Sequence, residues 1–107
     1  MLYCMQVVFF LNKLHSHIDR TDYEQWVRSI DYPTAQSIPS ILEYTVARVE
    51  GRLDADGTPP YDYVERVVIG DTASYRRDLA DARLDDFRQA WSTRIAESTA
   101  VHATVVE

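Results

Sequence analysis

The hydrophobic pattern of this 107-residue chain predicts an α+β fold in which strands and helices follow the order β-α-β-β-α-β. Three observations carry the prediction. Four segments are rich in β-branched and aromatic residues, the regions between them repeat apolar residues at helical spacing, and a loop rich in Asp, Gly and Pro joins the two middle strands. This order is the split β-α-β, or ferredoxin-like, arrangement. We expect residues 1–107 to form a single domain, because domains usually contain roughly 50 to 250 residues.

The first predicted strand covers residues 2–11, an apolar run typical of a strand that is buried on both faces. The run is too short to span a bilayer and lacks the basic start of a signal peptide, so we expect no membrane partner. It contains Cys4, the only cysteine, which we interpret as a small buried hydrophobic residue. Because one cysteine forms no disulfide within the chain, a reducing cytoplasmic location is predicted. A polar turn over residues 12–20 should follow.

A helix is predicted after this turn. Thr21 and Glu24 have the spacing of a capping box, which would start the helix at Thr21. Pro33 disfavours helical backbone at the residue before it, so the helix should end near residues 29–31. One face of the helix carries apolar residues at i, i+3, i+4 and i+7, namely Tyr23, Trp26, Val27 and Ile30.

The middle strands are predicted over residues 41–50 and 61–69, as an antiparallel hairpin with a long connection. An antiparallel sheet with one face in water should alternate apolar and polar residues, but these strands and the first are apolar on both faces. Helices cover one face, and a second copy of the chain is the simplest cover for the other. The pattern therefore predicts a homodimer through the sheet face, the dimeric α+β barrel. In the first strand, the apolar residues on one face are Met5, Val7 and Phe9, and those on the other face are Cys4, Val8 and Phe10. In the third strand, they are Val67 and Ile69 on one face and Val64 and Val68 on the other.

Two helices and a last strand complete the predicted fold. Asp71 is placed to cap a short helix over residues 72–80. A longer helix is expected over residues 81–97, and the last strand over residues 100–106. The apolar stripe of the longer helix consists of Leu84, Phe87, Trp91 and Ile95.

Composition argues against several classes of function. The net charge of −6 argues against a nucleic-acid partner, because phosphate binding needs a basic surface. The chain has three glycines, no Gly-rich phosphate loop, and no Gly-x-Ser-x-Gly or Cys/His nucleophile pattern. His15 and His17 have a spacing that can chelate a metal on a strand, but they fall in the predicted polar turn without a third ligand. We therefore predict neither a metal site nor a cofactor.

Charged residues inside apolar strands are the first candidates for chemistry, because an unpaired buried charge costs several kcal/mol. Glu65 and Arg48 lie on neighbouring strands and could pair with each other. Alternatively, Glu65 lines a pocket, has a raised pKa and acts as an acid or base. Tyr61 and Tyr63 point to the same side as Glu65, and Tyr44 shares a face with Arg48. The sequence leaves open which side faces a cleft.

His102 is the histidine with the strongest case for a catalytic role. It lies within a predicted strand, and imidazole titrates near neutral pH. It would suit general acid–base work on a bound small molecule. The alternative is a histidine that bonds a neighbour in the core or lies at the dimer interface.

Short motifs run through almost the whole chain: residues 23–28 (YEQWVR), 31–33 (DYP), 38–41 (IPSI), 48–51 (RVEG), 61–65 (YDYVE), 75–79 (YRRDL) and 101–107 (VHATVVE). In order and spacing they resemble the RedY-like family, which includes HapK. The resemblance implies a dimeric α+β barrel encoded in bacterial gene clusters for prodiginine tripyrroles or for bisindoles made from tryptophan. In bisindole pathways, it implies an enzyme without a cofactor that diverts an unstable imine-type dimer of indolepyruvate towards cyclised products.

Together, the residues and the resemblance favour a cofactor-independent cyclase or related tailoring enzyme that acts on an indole- or pyrrole-derived intermediate. His102 would carry a proton, with Glu65 or Asp31 as its partner or as a second acid or base. An aromatic cleft would hold a flat substrate by stacking. Two alternatives stay open: a non-catalytic carrier for a hydrophobic pathway intermediate, and a monooxygenase without a cofactor. The predicted substrate-binding residues are Phe9, Trp26, Tyr32, Tyr44, Arg48, Tyr61 and Tyr63.

Overall fold

The computed structural model describes residues 4–107, so the start of the first predicted strand, Leu2 and Tyr3, lies outside the described residues. Within them, no helix is long and apolar enough to cross a membrane. The elements are β1 (Gln6–Leu14), α1 (Arg20–Trp26), a π-helical turn (Val27–Asp31), α2 (Tyr32–Gln36), β2 (Ile41–Arg48), β3 (Tyr63–Ile69), α3 (Thr72–Leu79), a 3₁₀ turn (Ala82–Leu84), α4 (Asp85–Arg94) and β4 (Ile95–Thr104). The four strands form one antiparallel sheet in the order β2-β3-β1-β4, which confirms the predicted α+β, ferredoxin-like fold.

The register of the sheet defines a helix-covered face. Glu65 of β3 pairs with Phe10 of β1 and with Val46 of β2, so these three side chains point to the same side. The helices pack against this side and bury two clusters of residues there. One cluster is built around Tyr23, Trp26 and Tyr63, and the other around Val67, Ile69 and Tyr75.

The second face of the sheet carries the apolar residues that alternate along each strand with those of the helix-covered face. Val7 and Val68 pair with each other on this face and are buried. Phe9 and Leu11 are only half-buried, and Val101 of the edge strand β4 is 45% exposed. Apolar side chains therefore remain accessible on this face, and the homodimer through it stays a prediction.

The helical layer continues through the proline instead of ending before it. The N–H of Tyr32 donates to the carbonyl of Val27 across the π-helical turn, and α2 begins directly at Tyr32. Pro33 occupies the first turn of α2, where a residue without an N–H is tolerated. The predicted helix end at residues 29–31 is therefore wrong. Packing of the buried residues on both sides of the proline outweighs the local backbone preference.

The first strand lies further along the chain than predicted. β1 begins at Gln6 and continues through Asn12, which pairs with Tyr63 of β3 instead of entering a turn. Cys4 precedes the strand and is exposed. The prediction of a buried cysteine is therefore wrong, because the residue lies before the sheet rather than within it.

The predicted capping box is also wrong. Asp19 caps α1, since its Oδ1 accepts a hydrogen bond of 2.6 Å from the N–H of Thr21. Glu24 points away from the helix start and binds Arg48 and Tyr63 on the sheet. Both carboxylate oxygens of Glu24 bind the guanidinium of Arg48, and this bidentate pairing turns the side chain away from the Thr21 amide.

The C-terminal half follows the prediction at its start and departs from it at the end. Asp71 caps α3 as predicted, and its Oδ1 accepts a hydrogen bond of 2.7 Å from the N–H of Ser74. The longer helix ends at Arg94, and Ile95 already pairs with Leu14 in the sheet. The sheet takes up this segment because the long β1 offers β4 additional backbone partners.

Candidate active site

A cavity of about 180 Å³ lies between the helices and the helix-covered face of the sheet. We call it the carboxyl cavity, because Asp31 and Glu65 both line it, together with Tyr44. Both carboxyl side chains are buried, and their surroundings have few polar groups. The apolar part of the lining includes Phe10, Ile41, Tyr75, Leu79, Phe87 and Trp91.

A single hydroxyl group bridges the two acids. The Oη of Tyr44 lies 2.7 Å from Oδ2 of Asp31 and 2.6 Å from Oε1 of Glu65. The tyrosine has one proton to donate, so it can donate to only one of the two acids. The other short contact requires a protonated carboxyl group that donates to the tyrosine oxygen. The geometry therefore describes an acid and a carboxylate that share one hydroxyl.

The pKa values of the three groups agree with a retained proton. Burial raises the pKa of Asp31 to about 7, the charge of Glu65 acts in the same direction, and the hydrogen bond from Tyr44 opposes them. Burial also raises the pKa of Glu65, against hydrogen bonds from Tyr44, Asn12 and Trp91. Burial and the two neighbouring carboxylates raise the pKa of Tyr44, which keeps its hydroxyl protonated. At neutral pH this site therefore contains a proton that an exposed pair of acids would have lost.

Three separate elements position the bridged acids. Asp31 is the last residue of the π-helical turn, and its side chain is buried. Tyr44 comes from the edge strand β2 and Glu65 from the middle of β3. Because these elements are distant in sequence, only the folded chain assembles the group.

Asn12 is a fourth member of the site and was missed by sequence reasoning. It is completely buried, and its Nδ2 donates to Oε2 of Glu65. Its Oδ1 accepts a hydrogen bond of 2.6 Å from the hydroxyl of Ser98 on β4. The signal was present in the sequence: Asn12 lies two residues beyond Phe10 and points to the same side once β1 is extended.

This arrangement can both donate and accept a proton inside an apolar cavity. Among the described residues that line the cavity, Arg88 is the only cationic one. Its guanidinium binds Asp85 and the carbonyls of Leu79 and Asp81. It therefore closes the wall between α3 and α4 and forms no ion pair with the acids of the cavity.

A second cavity of about 180 Å³ contains a different carboxylate and three of the predicted substrate-binding residues, Tyr32, Arg48 and Tyr63. Glu24 accepts hydrogen bonds of 2.6 and 2.9 Å from the guanidinium of Arg48 and one of 2.6 Å from the hydroxyl of Tyr63. These hydrogen bonds lower the pKa of Glu24 to about 2. Tyr32 accepts a hydrogen bond of 3.0 Å from the backbone N–H of Val46. This second cavity therefore contains a fully ionised pair.

Comparison with known proteins identifies the family. The family model described as REDY-like protein HapK matches residues 6–106. The chain belongs to the REDY-like HapK family. The crystal structure of HapK from Hahella chejuensis is 27% identical, covers 91% of this chain and 90% of that chain, and gives a TM-score of 0.72. No curated protein sequence matches the chain.

More distant structures share only the fold with this HapK-family chain. A hydroxynitrile lyase from Passiflora edulis is 13% identical, covers 96% of this chain and 94% of that chain, and gives a TM-score of 0.76. A dimeric ferredoxin-like protein of unknown function from Thermobifida fusca is 17% identical, covers 98% of this chain and 97% of that chain, and gives a TM-score of 0.68.

The structure of this HapK-family chain brings together three of the predicted site residues, Asp31, Tyr44 and Glu65. It contradicts the alternative in which Glu65 pairs with Arg48, because Arg48 binds Glu24 and Glu50 instead. The reason is the position of α1, which presents a carboxylate directly to the guanidinium.

Three other predicted aromatic contacts, Phe9, Trp26 and Tyr61, do not line the carboxyl cavity. Phe9 points to the second face of the sheet, and its neighbour Phe10 lines the cavity instead. Trp26 stacks on Phe87 with ring centroids 5.6 Å apart, so it packs against a residue that lines the cavity without lining the cavity itself. Tyr61 lies in the loop before β3. Strand parity, which the sequence left open, decides the placement of Phe9.

His102 is exposed on β4 and is not brought to the acids. Its Nε2 lies 2.7 Å from Oε1 of Gln6 and 3.1 Å from the hydroxyl of Thr72. The ring therefore connects β4 to β1 and to the start of α3. A catalytic role for His102 stays a prediction, without a contact to Asp31 or Glu65 to support it.

The two histidines of the first turn, His15 and His17, have rings 5.7 Å apart. Nε2 of His15 lies 3.3 Å from the carbonyl of Ser92. Across residues 4–107, no group of three or more His, Cys, Asp or Glu side chains is arranged to hold a metal ion.

Proposed function

We propose that this HapK-family chain is a cofactor-independent enzyme of bacterial natural-product biosynthesis. It acts as a cyclase or related tailoring enzyme on a reactive aromatic intermediate of the bisindole-imine or pyrrole type. The observation that carries the proposal is the pair of buried acids, Asp31 and Glu65, bridged by Tyr44 in an apolar cavity. Membership of the family supports the pathway setting.

The apolar lining would hold one flat ring of the substrate by stacking and burial. Exclusion of water strengthens each hydrogen bond and charge interaction made inside the cavity. A reactive intermediate needs little activation, so much of the rate enhancement would come from holding the reacting atoms close together. The walls would also direct the intermediate towards one cyclised product among several.

The two acids would move one proton in and one proton out. The protonated carboxyl group donates its proton to an imine nitrogen or carbonyl oxygen as the new bond forms. The carboxylate then accepts the proton released from the attacking atom, so that the pair ends with the same number of protons. The step needs no oxidant or reductant.

The decisive experiment incubates the purified chain with a freshly generated bisindole imine and no other enzyme, and separates the products by chromatography with mass detection. The wild-type chain is expected to shift the product distribution towards a cyclised compound. Asp31→Asn is expected to lose that shift, and Asp86→Asn, which changes an exposed aspartate of α4, is expected to keep it.

Other outcomes of the same experiment identify the alternatives. A carrier would slow the decay of the intermediate without changing the product distribution. A monooxygenase would consume dissolved oxygen in proportion to product, which an oxygen electrode measures. Either result would overturn the cyclase proposal.

We also propose that the chain acts as a homodimer through the second face of the sheet. The half-buried Phe9 and Leu11 and the exposed Val101 support this assembly, because accessible apolar patches on a sheet commonly mark an interface. Sedimentation at micromolar concentration tests it, and a monomer would overturn it.

A further inference from the structure

Asn12 has contacts that go beyond packing. It is the only asparagine in the chain and is completely buried on the helix-covered face of the sheet. One end of its amide faces Glu65 and the other faces Ser98. A buried amide with a defined partner at each end has one favoured orientation.

Ser98 holds the end of the amide that faces away from the acid. Its hydroxyl donates to Oδ1 of Asn12 at 2.6 Å, and the NH₂ group at the other end of the amide donates to Glu65. An NH₂ group can only donate hydrogen bonds. The oxygen of Glu65 that it contacts must therefore accept, and an ionised carboxylate accepts better than a neutral acid.

The two acids of the carboxyl cavity consequently have unequal surroundings. Glu65 is in contact with three donor groups, the amide of Asn12, the hydroxyl of Tyr44 and the indole N–H of Trp91. Asp31 is in contact with the same hydroxyl and has no other side-chain hydrogen bond among the described residues. More donors around one acid favour its charged form, and that charge favours the protonated form of its neighbour.

We propose that Asn12 is a positioning residue that keeps Glu65 ionised as the base and leaves the shared proton on Asp31 as the acid. Ser98 supports this role by holding the far end of the amide through a hydrogen bond. The assignment of acid and base rests on the proposed function, whereas the order in which the two acids ionise does not. Tyr44, between them, transmits the hydrogen-bonding preference from one acid to the other.

The test follows the ionisation of both acids without any substrate. Carbon-detected NMR of the labelled side-chain carboxyl groups, recorded over pH 4–9 on the whole chain, gives a pKa for each acid. In the wild type, Glu65 is expected to ionise at lower pH than Asp31. In Asn12→Leu, the pKa of Glu65 is expected to rise by at least about one pH unit, which is a tenfold change in proton affinity.

Two further variants keep the test decisive if Asn12→Leu does not fold. Asn12→Asp has nearly the same shape but places an acceptor against Glu65, so it should also raise the pKa of that acid. Ser98→Ala removes the hydroxyl that holds the far end of the amide and should shift the pKa of Glu65 in the same direction by a smaller amount. The matched control is Gln6→Leu, which removes an amide from the same face of β1 that contacts His102 and Thr104 instead of the acids.

Kinetics separates positioning from a purely structural role. Asn12→Leu is expected to lower kcat at least tenfold and to leave KM within about twofold, with the limb of the pH profile that belongs to the base shifted to higher pH. The proposal is overturned if Glu65 ionises after Asp31 in the wild type, or if folded Asn12 variants leave the pKa of Glu65 unchanged. If the wild type shows no turnover, the proposed function fails, and the titration still decides the role of Asn12.

Discussion

Two clusters on the same face of the sheet contain a tyrosine hydroxyl hydrogen-bonded to a carboxyl group, but they differ in charge balance. In the first, Tyr44 lies between two buried acids. In the second, Tyr63 and Arg48 both bind Glu24 at the rim of a cavity. The first raises the pKa of Asp31 to about 7, and the second lowers the pKa of Glu24 to about 2.

The difference shows that burial and neighbouring charge decide whether a carboxyl group in this fold keeps its proton. At the first cluster, desolvation and a second negative charge act together against ionisation. At the second, a guanidinium compensates the charge, and water reaches both partners. The first arrangement retains a reactive proton at neutral pH, and the second is an ordinary stabilising ion pair. Four predictions test this contrast, from the largest expected effect to the smallest.

The largest effect should be on turnover. Asp31→Asn and Glu65→Gln each remove a group that donates or accepts a proton, and such groups contribute roughly 10²- to 10⁴-fold to rate. Either variant should lower the rate of product formation by at least about 100-fold. The matched variant of the second cluster, Glu24→Gln, should stay within about threefold of the wild type. An equal loss in all three variants would remove the distinction between the clusters.

The second largest effect should be on the pH dependence of the free energy of unfolding. The pKa of Asp31 is about 7 in the folded chain against an ordinary 3.8, so the folded state binds this proton more tightly than the unfolded state. The resulting stabilisation is complete below about pH 4 and is lost as the pH rises through 7. Between pH 5 and pH 8, the protonated Asp31 should account for a fall of about 2–3 kcal/mol in the free energy of unfolding of the wild type, and the fall should be clearly smaller in Asp31→Asn. Urea denaturation at the two pH values measures it, with Asp86→Asn as the control.

Removal of the bridging hydroxyl should have the third largest effect, a loss of stability. Tyr44→Phe removes the donor that both acids share, and a buried polar group left without a partner costs about 1–3 kcal/mol. Tyr75→Phe is the control, since Tyr75 lines the same cavity and its hydroxyl has no hydrogen-bond partner among the described residues. Thermal unfolding should show a clear loss for Tyr44→Phe only. Equal melting temperatures would mean that the hydroxyl does not bridge the acids.

The smallest effect should come from the ion pair of the second cluster. Arg48→Met removes the main charged partner of Glu24, but the Arg48 side chain is 46% exposed and the pair is screened by water. The melting temperature should change by no more than about 3 °C at pH 7, and the difference should shrink in high salt. Because the pKa of Glu24 is lowered, its stabilising contribution is present at neutral pH and is lost only as the pH falls towards 2. A large loss at neutral pH would show that the pair is structurally essential.

The fold was predictable from local pattern because each strand and helix has its own apolar periodicity. Asp71 was also predictable as a helix cap, since a cap depends on residues a few positions away. The ends of β1 and β4 were not predictable. Asn12 and Ile95 join the sheet because partners distant in sequence are available, and local composition contains no information about those partners.

Part of the candidate site was also predictable from local pattern. Glu65 was identifiable as a charge inside an apolar strand, and Asp31 and Tyr44 belonged to the predicted set. The position of Phe9 behind the sheet and of His102 at its edge depends on register, which changes the face of a side chain with every one-residue shift.

By itself, the sequence determined the order of strands and helices, the apolar character of both sheet faces and the presence of buried charge. Only the tertiary structure decided which charges meet. Asp31 reaches Glu65 because the helix continues through Pro33 by way of a π-helical turn, and Asn12 reaches Glu65 because β1 extends beside β3. These contacts join elements that are distant in sequence, and their energies depend on burial, which exists only once the chain has folded.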